Sequence, residues 1–290
     1  MYPINIKKYF SRKLQPIHSV FVLISLAVIF LFTNTASAEP GKDAMSAEKV
    51  MQDVDDRYKG TSREMVGTLT LFDKNGGKRV RNFKEIAKKY GKDEKSISVV
   101  SFPAEVKGTS IMSFNWDEKT KDDDTWLYLP QLKKVKRMAS TDKSGYFLGS
   151  DFTYSDFVGL EISDFKYKFD EEKNKSGTNE WVIIAEPRDD IAQKVRDETG
   201  YKKIQYWIDQ SNLIIVKAIY WLDEGNKIKY SSSTDIENID NVWTVKKMQM
   251  IMTQGGKKLH SSVFQLESIK YNLPVDDAEF TVYAMEREIK

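Results

Sequence analysis

Between residues 65 and 269 the apolar side chains of this sequence largely recur at every second position, in runs broken by Gly, Asn, Asp and Pro, while several runs, especially 213–222, are apolar on both faces. Alternation of that kind builds strands that are buried on one face, because successive side chains of a strand leave in opposite directions. The spacing predicts strands over 65–72, 79–86, 96–102, 109–116, 126–129, 132–138, 163–169, 181–185, 201–208, 213–222, 227–236, 242–252 and 258–269. Asn75-Gly76 and Gly255-Gly256 read as hairpin turns, so neighbouring runs pair antiparallel. Two helical patterns frame them. In 46–59, Ala47, Val50, Met51, Val54 and Tyr58 share a face, with Ser46 as N-cap and Gly60 as stop; 189–199 is a short helical insert ended by Gly200. The expected class is therefore mainly β (α+β).

The stretch 124–157 organises the rest. Trp126 to Leu129 is a short apolar run stopped by Pro130, which cannot donate to a central ladder. A strand dense in Lys133, Lys134, Lys136 and Arg137 follows, and then Gly145, Gly149 and the Ser and Asp residues around them break the pattern. An apolar strand beside a basic one suits a ligand with a hydrocarbon part and an anionic head.

This block resembles the LolA-like family of bacterial outer membrane lipoprotein-sorting proteins. The matching elements are Lys107-Gly108-Thr109, the Trp-Leu-Tyr-Leu-Pro strand, the basic strand, and Gly149-Ser150-Asp151-Phe152 with Asp156. Gly200-Tyr201-Lys202-Lys203, Trp207-Ile208-Asp209 and Glu224-Gly225-Asn226-Lys227 resemble the family's second half, and Asp277, Phe280 and Thr281 its closing motif. The resemblance covers most of the chain. It implies one large curved antiparallel sheet forming a half-open barrel, lidded by helices, with an apolar cavity that carries acyl chains across the periplasm.

The N-terminus reads as an export signal. Lys7, Lys8, Arg12 and Lys13 precede an apolar run over 20–32, and Ala36-Ser37-Ala38 is an Ala-x-Ala cleavage site. The apolar run is shorter than the roughly 20 residues that a membrane-crossing helix wants. Cleavage after Ala38 leaves 39–290 as a single domain in the periplasm. It also removes four of the 45 basic residues and none of the 43 acidic ones, turning the formal net charge from +2 to −2. No concentrated basic face for nucleic acid emerges. With no Cys there are no disulfides, so stability rests on buried core.

Chemistry has little to work with. Beyond the signal the sequence has one histidine, His260, in a predicted strand, and no nucleophile-elbow motif. Clustered His or Cys metal sites and Cys-His nucleophiles are absent, and no cofactor is implied. Asp122, Asp123 and Asp124 lack the alternating spacing of calcium loops and read as a solvated turn. Paired carboxylates and six Trp keep a glycan-active protein as a weak third reading, although the acids fall mainly at turns. Asp151 and Asp156 read as turn and cap residues. The expectation is a protein that is not an enzyme.

Binding has more support. Met248, Met250 and Met252 project from one face of a strand, either as a conformable wall for variable apolar cargo or as ordinary core. The expected cavity wall is Met112, Phe114, Trp126, Tyr128, Met248 and Met250. Lys133, Lys134, Lys136 and Arg137 either contact an anionic headgroup or acidic partner, or guard an edge strand against aggregation. At about 0.8 kcal/mol per methylene, a long acyl chain offers on the order of 10 kcal/mol of transfer free energy. The sequence thus points to a periplasmic carrier of lipoprotein or lipid acyl chains bound for the outer membrane, touching membranes transiently at most. The alternative is an accessory subunit docking on an inner-membrane transporter without cargo, which a cavity filled by its own side chains would favour.

Overall fold

The computed structural model describes residues 45–118, 121–174 and 177–286. The expected signal at 1–38 lies outside the described residues. Among the described ones, no helix is long and apolar enough to cross a membrane.

Ser46 caps α1 (Ala47–Asp56), its hydroxyl accepting from the Lys49 N–H at 3.1 Å. The helix ends before the predicted residue 59. Arg57 is extended and donates to the Trp243 carbonyl, while Tyr58 swings out to donate to Asn272 Oδ1. Tertiary partners for these two side chains outbid one more helical turn.

A single sheet of 13 antiparallel strands follows. Strands β1 (Ser62–Phe72), β2 (Lys78–Tyr90), β3 (Asp93–Phe102), β4 (Ser110–Asn115), β5 (Asp124–Leu129) and β6 (Lys134–Arg137) step outward to one edge. The chain then leaves the sheet for residues 138–164, which include α2 (Tyr154–Val158), and re-enters at the opposite edge as β7 (Phe165–Phe169). After α3 (Glu171–Asn174) it steps back through β8 (Glu180–Pro187), α4 (Ala192–Thr199), β9 (Tyr201–Asp209), β10 (Ile215–Leu222), β11 (Lys227–Ile239), β12 (Val242–Gln254) and β13 (Lys257–Tyr271). The last strand pairs with β1, and α5 (Val282–Met285) ends the described chain. The sheet is curved but not a closed barrel, since β6 and β7 remain its edges.

Predicted turns hold where a side chain can close them. Asp73 accepts from the N–H groups of Asn75 and Gly77 at 2.8 and 2.9 Å around Gly76, which sits at φ 86°. Gly200, at φ 77°, stops α4 as expected. Strand β2 runs four residues beyond its predicted end because Lys88 and Tyr90 both reach Asp277, each at 2.6 Å.

Register assigns the two faces. Leu71, Ser262, Met250, Ser231 and Ala218 lie side by side across five strands, as do His260, Met252, Lys229 and Tyr220 across four. This inner face carries α1, α4 and the 138–164 connector. One end of it buries Ala47, Val50 and Met51 of α1 against Phe165, Tyr167 and Tyr206. The opposite face is covered at β3–β5 by the C-terminal segment, where Phe280, Ala284 and Met285 pack on Ile97, Val99 and Met112.

Candidate functional site

The centre of the inner face is an apolar floor. Leu69 and Leu71 of β1, Phe83 of β2, Ile111 of β4, Met248 and Met250 of β12 and Phe264 of β13 form it. Phe83 and Phe264 stack with ring centroids 5.7 Å apart beside Gly67. That glycine is required, since a Cβ there would stand 2.6 Å from the Phe264 ring.

The connector covers this floor. Phe147 and Phe152 are buried in the same cluster, joined by Leu148 and Tyr154. Phe157, 38 % exposed, packs its ring 4.5 Å from Phe147 and 5.6 Å from Phe152. No strand pairs with this plug. Apart from an isolated bridge between Tyr146 and Thr153, within the connector itself, it is held by side chains.

Besides Asn115 of β4, which donates to the Val158 carbonyl at 2.7 Å, two polar anchors tie it to the sheet. In the first, Thr153 and Asp156 make the capping box of α2, and Asp156 also accepts from the Tyr201 hydroxyl at 2.6 Å and from Lys229 Nζ at 3.3 Å. Lys229, wholly buried, donates to the Tyr201 oxygen at 2.8 Å as well. Burial pulls its ammonium below the ordinary value, against the opposing pull of Asp156 and Asp151. Burial and then Asp156 hold the Tyr201 phenol well above its usual value. In the second anchor the Asp151 N–H donates to Ser262 Oγ at 2.9 Å, and that hydroxyl donates to Asp151 Oδ2 at 2.6 Å. His260 Nδ1 meets the other carboxylate oxygen.

These groups brace the connector against the sheet. Ser262 is fully buried and gives its proton to Asp151, not to His260, so no nucleophile–base pair forms. Lys229 has no exposed surface, and its hydrogen bonds go to Asp156 and Tyr201. Among the described residues no group of three His, Cys, Asp or Glu could hold a metal. At the β2 end of the inner face, in register with Leu69, the buried Nε of Arg81 has no hydrogen-bond partner.

The residues expected to line one cavity are not brought together. Met248 and Met250 lie on the inner floor, under Phe147 and Phe152. Met112, Phe114, Trp126 and Tyr128 lie on the opposite face, against Ile86, Ile97 and the C-terminal segment. Parity is the reason: on β4 it is Ile111, paired with Leu127, that faces inward, so Met112 and Trp126 face out. Met252 joins the third cluster, at the α1 end. Two open grooves, lined by residues such as Lys88 and Pro274 or Arg79 and Phe102, lie away from the methionine floor. Lys134, Lys136 and Arg137 occupy the edge strand β6, and Lys133 the turn before it, at φ 48°. Lys136 pairs with Asp142 at 3.3 Å and Arg137 with Asp124. The anchors Lys229, Tyr201 and Ser262 went unforeseen, although a lysine at an inward position of an alternating strand was a visible anomaly.

A family model described as "Uncharacterized protein" matches residues 92–287, most of the described chain. Solved structures share the fold: a "putative outer membrane lipoprotein-sorting protein domain" from Vibrio parahaemolyticus superposes with a TM-score of 0.72 at 22% identity, covering 83% of this chain and 98% of its own. The chain belongs to that matched family, and its fold is LolA-like. A DUF1329 family protein from Desulfovibrio piger also has a TM-score of 0.72, at 24% identity, covering 82% of this chain and 97% of its own. A LolA superfamily protein from Nitrosomonas europaea gives 0.60 at 18% identity, covering 83% and 100%. No curated protein matches the sequence. The connector is the cover of the inner face of this open sheet.

Proposed function

We propose that this LolA-like protein is a periplasmic carrier that takes an acyl chain of a lipoprotein or lipid onto its inner face and passes it towards the outer membrane. The observation that carries this reading is the plug: Phe147, Phe152 and Phe157 cover a methionine-rich floor without strand pairing, held by two polar anchors. Fully burying a phenylalanine is worth about 1.5–3 kcal/mol, so lifting Phe147 and Phe152 costs roughly 3–6 kcal/mol, to which the broken anchors add, against on the order of 10 kcal/mol gained by an acyl chain. The exchange is close to balanced, as a carrier that must also release its cargo requires. Met248 and Met250 would line the acyl site. Met112, Phe114, Trp126 and Tyr128 would contribute only if the C-terminal segment lifted from the other face. The partnerless Nε of Arg81, with Lys133, Lys134, Lys136 and Arg137 at the rim, would receive an anionic headgroup. Mass spectrometry of lipids that co-purify with the exported protein, and uptake of a fluorescent fatty acid, test this. Bound lipid, and uptake abolished by Met250→Asp in a folded variant, support it; lipid-free protein with no uptake overturns it.

A second reading keeps the fold and drops the cargo: an accessory subunit that docks on an inner-membrane transporter. Occupation of the inner floor by the chain's own Phe147 and Phe152 favours it. Retention of the protein by such a transporter, with no lipid bound, would decide for it.

A further inference from the structure

The outer face of β9–β13, β1 and β2 bears a pattern that the carrier reading does not use. Three neighbouring rows cross these strands. The first is Lys203, Trp221, Ile228, Thr253 and Lys258. The second is Gln205, Ile219, Tyr230, Ile251, Ser261, Phe72 and Lys78. The third is Trp207, Lys217, Ser232, Gln249, Val263, Thr70 and Val80. Asp and Glu make up much of this sequence, yet none stands in these rows; two carboxylates meet them at the β9 border, Asp170, which accepts from Gln205 at 2.6 Å, and Glu180, 4.0 Å from Lys217. The face is open: Tyr230 is 41 % exposed, and Ile219, Trp221, Ile228 and Ile251 are all part-exposed. Lys203 Nζ sits 4.5 Å from the centre of the Trp221 ring.

We propose that this face docks on an anionic phospholipid bilayer. Aromatic residues with a polar tip settle at the headgroup level of a membrane, and each lysine near an anionic surface adds about 1 kcal/mol. From strand and residue spacings, the part of the patch from β10 to β1 measures roughly 19 Å by 14 Å, enough to rest Trp221, Tyr230 and the isoleucines among the headgroups. From β10 to β1 the rows hold no carboxylate and cations stand along their border, the complement of a negatively charged membrane, whereas an acidic protein partner would leave the isoleucine centre unmatched. The inner face is turned away from this contact, so docking and cargo exchange use different sides of the sheet.

The test is co-sedimentation of the exported protein with vesicles of phosphatidylglycerol mixed with phosphatidylcholine, against phosphatidylcholine alone. Binding is expected on the anionic vesicles only, weakening with salt, with a blue shift of tryptophan emission that Trp221→Phe diminishes. Each of Lys203→Gln, Lys217→Gln and Lys258→Gln should lower partitioning about fivefold, corresponding to about 1 kcal/mol. Trp221→Ser combined with Tyr230→Ser should abolish it; if that variant does not fold, the exposed lysine variants, checked by thermal melting, carry the test. No binding, equal binding to neutral vesicles, binding unmoved by these changes, or capture only by a membrane protein overturns the proposal. Met250→Asp separates it from the carrier reading, since that inner-face change should leave vesicle binding intact.

Discussion

Lys229 Nζ stands 3.3 Å from Asp156 Oδ2 with none of its own side chain exposed, joining a charge on β11 to one on the connector. A buried ion pair of this kind contributes little net stability, but losing one partner strands the other's charge. Lys229→Ala or Asp156→Ala should each cost about 3–5 kcal/mol in urea unfolding, and Lys229→Met with Asp156→Asn markedly less. If the double variant lost as much as the two single ones added together, the pair would not be coupled.

The same anchor predicts two opposed slopes with pH. Because burial lowers Lys229 from its ordinary 10.5, the unfolded chain binds the proton more tightly in the window below 10.5. Stability relative to Lys229→Met/Asp156→Asn should therefore rise as pH climbs towards 10.5. Tyr201 is raised well above 10.0, so its contribution is complete below that pH and is lost as pH rises beyond it. Stability relative to Tyr201→Phe should accordingly fall above about pH 10. Urea melts across an alkaline series read both; slopes of the opposite sign would refute the assignment.

Phe152→Ala distinguishes a plug that can lift from a permanent core. Removing this buried ring should cost about 3–5 kcal/mol of stability. On the carrier reading it also raises fatty-acid uptake, by opening the floor over Met250. Loss of stability with no gain in uptake would support the accessory-subunit reading.

Deleting residues from 277 onward tests the face assignment of the other four predicted residues. Phe280, Ala284 and Met285 cover Ile97 and Met112, and Trp126 packs in the same cluster. The shortened chain should show red-shifted tryptophan emission and bind a hydrophobic dye, while fatty-acid uptake on the inner face persists. Unchanged emission would mean that the C-terminal segment does not shield this cluster.

Strand periodicity made most of the sheet legible, because most runs from 65 to 269 alternate and Asp73, Asn75 and Gly76 mark their turn chemically, whereas runs such as 213–222 are apolar on both faces. The order of the strands was less so: nothing local says that β13 returns to β1, since that pairing joins the two ends of the fold. The site was legible only in part. Met248 and Met250 were placed on a common face by simple alternation, which register preserves. Met112 and Trp126 were assigned inward by strand alternation and aromatic content, signals that do not tell one face from the other once the C-terminal segment covers the outside as well. Phe147 and Phe152 sit in an irregular segment with no period to read, so their role as cover became visible only from their contacts. Asp156 was read correctly as a cap, but its second duty depends on Lys229 and Tyr201, far away in sequence.

The pairing of β1 with β13 has a consequence for synthesis. During translation β1 to β6 emerge first, and β1 keeps a bare row of amides and carbonyls until Lys257–Tyr271 has been made. So distant a partner is slow to find, and a waiting strand edge invites strands from other chains. Assembly of this protein therefore hinges on its final strand, and chains cut short before β13 are the species that should clump.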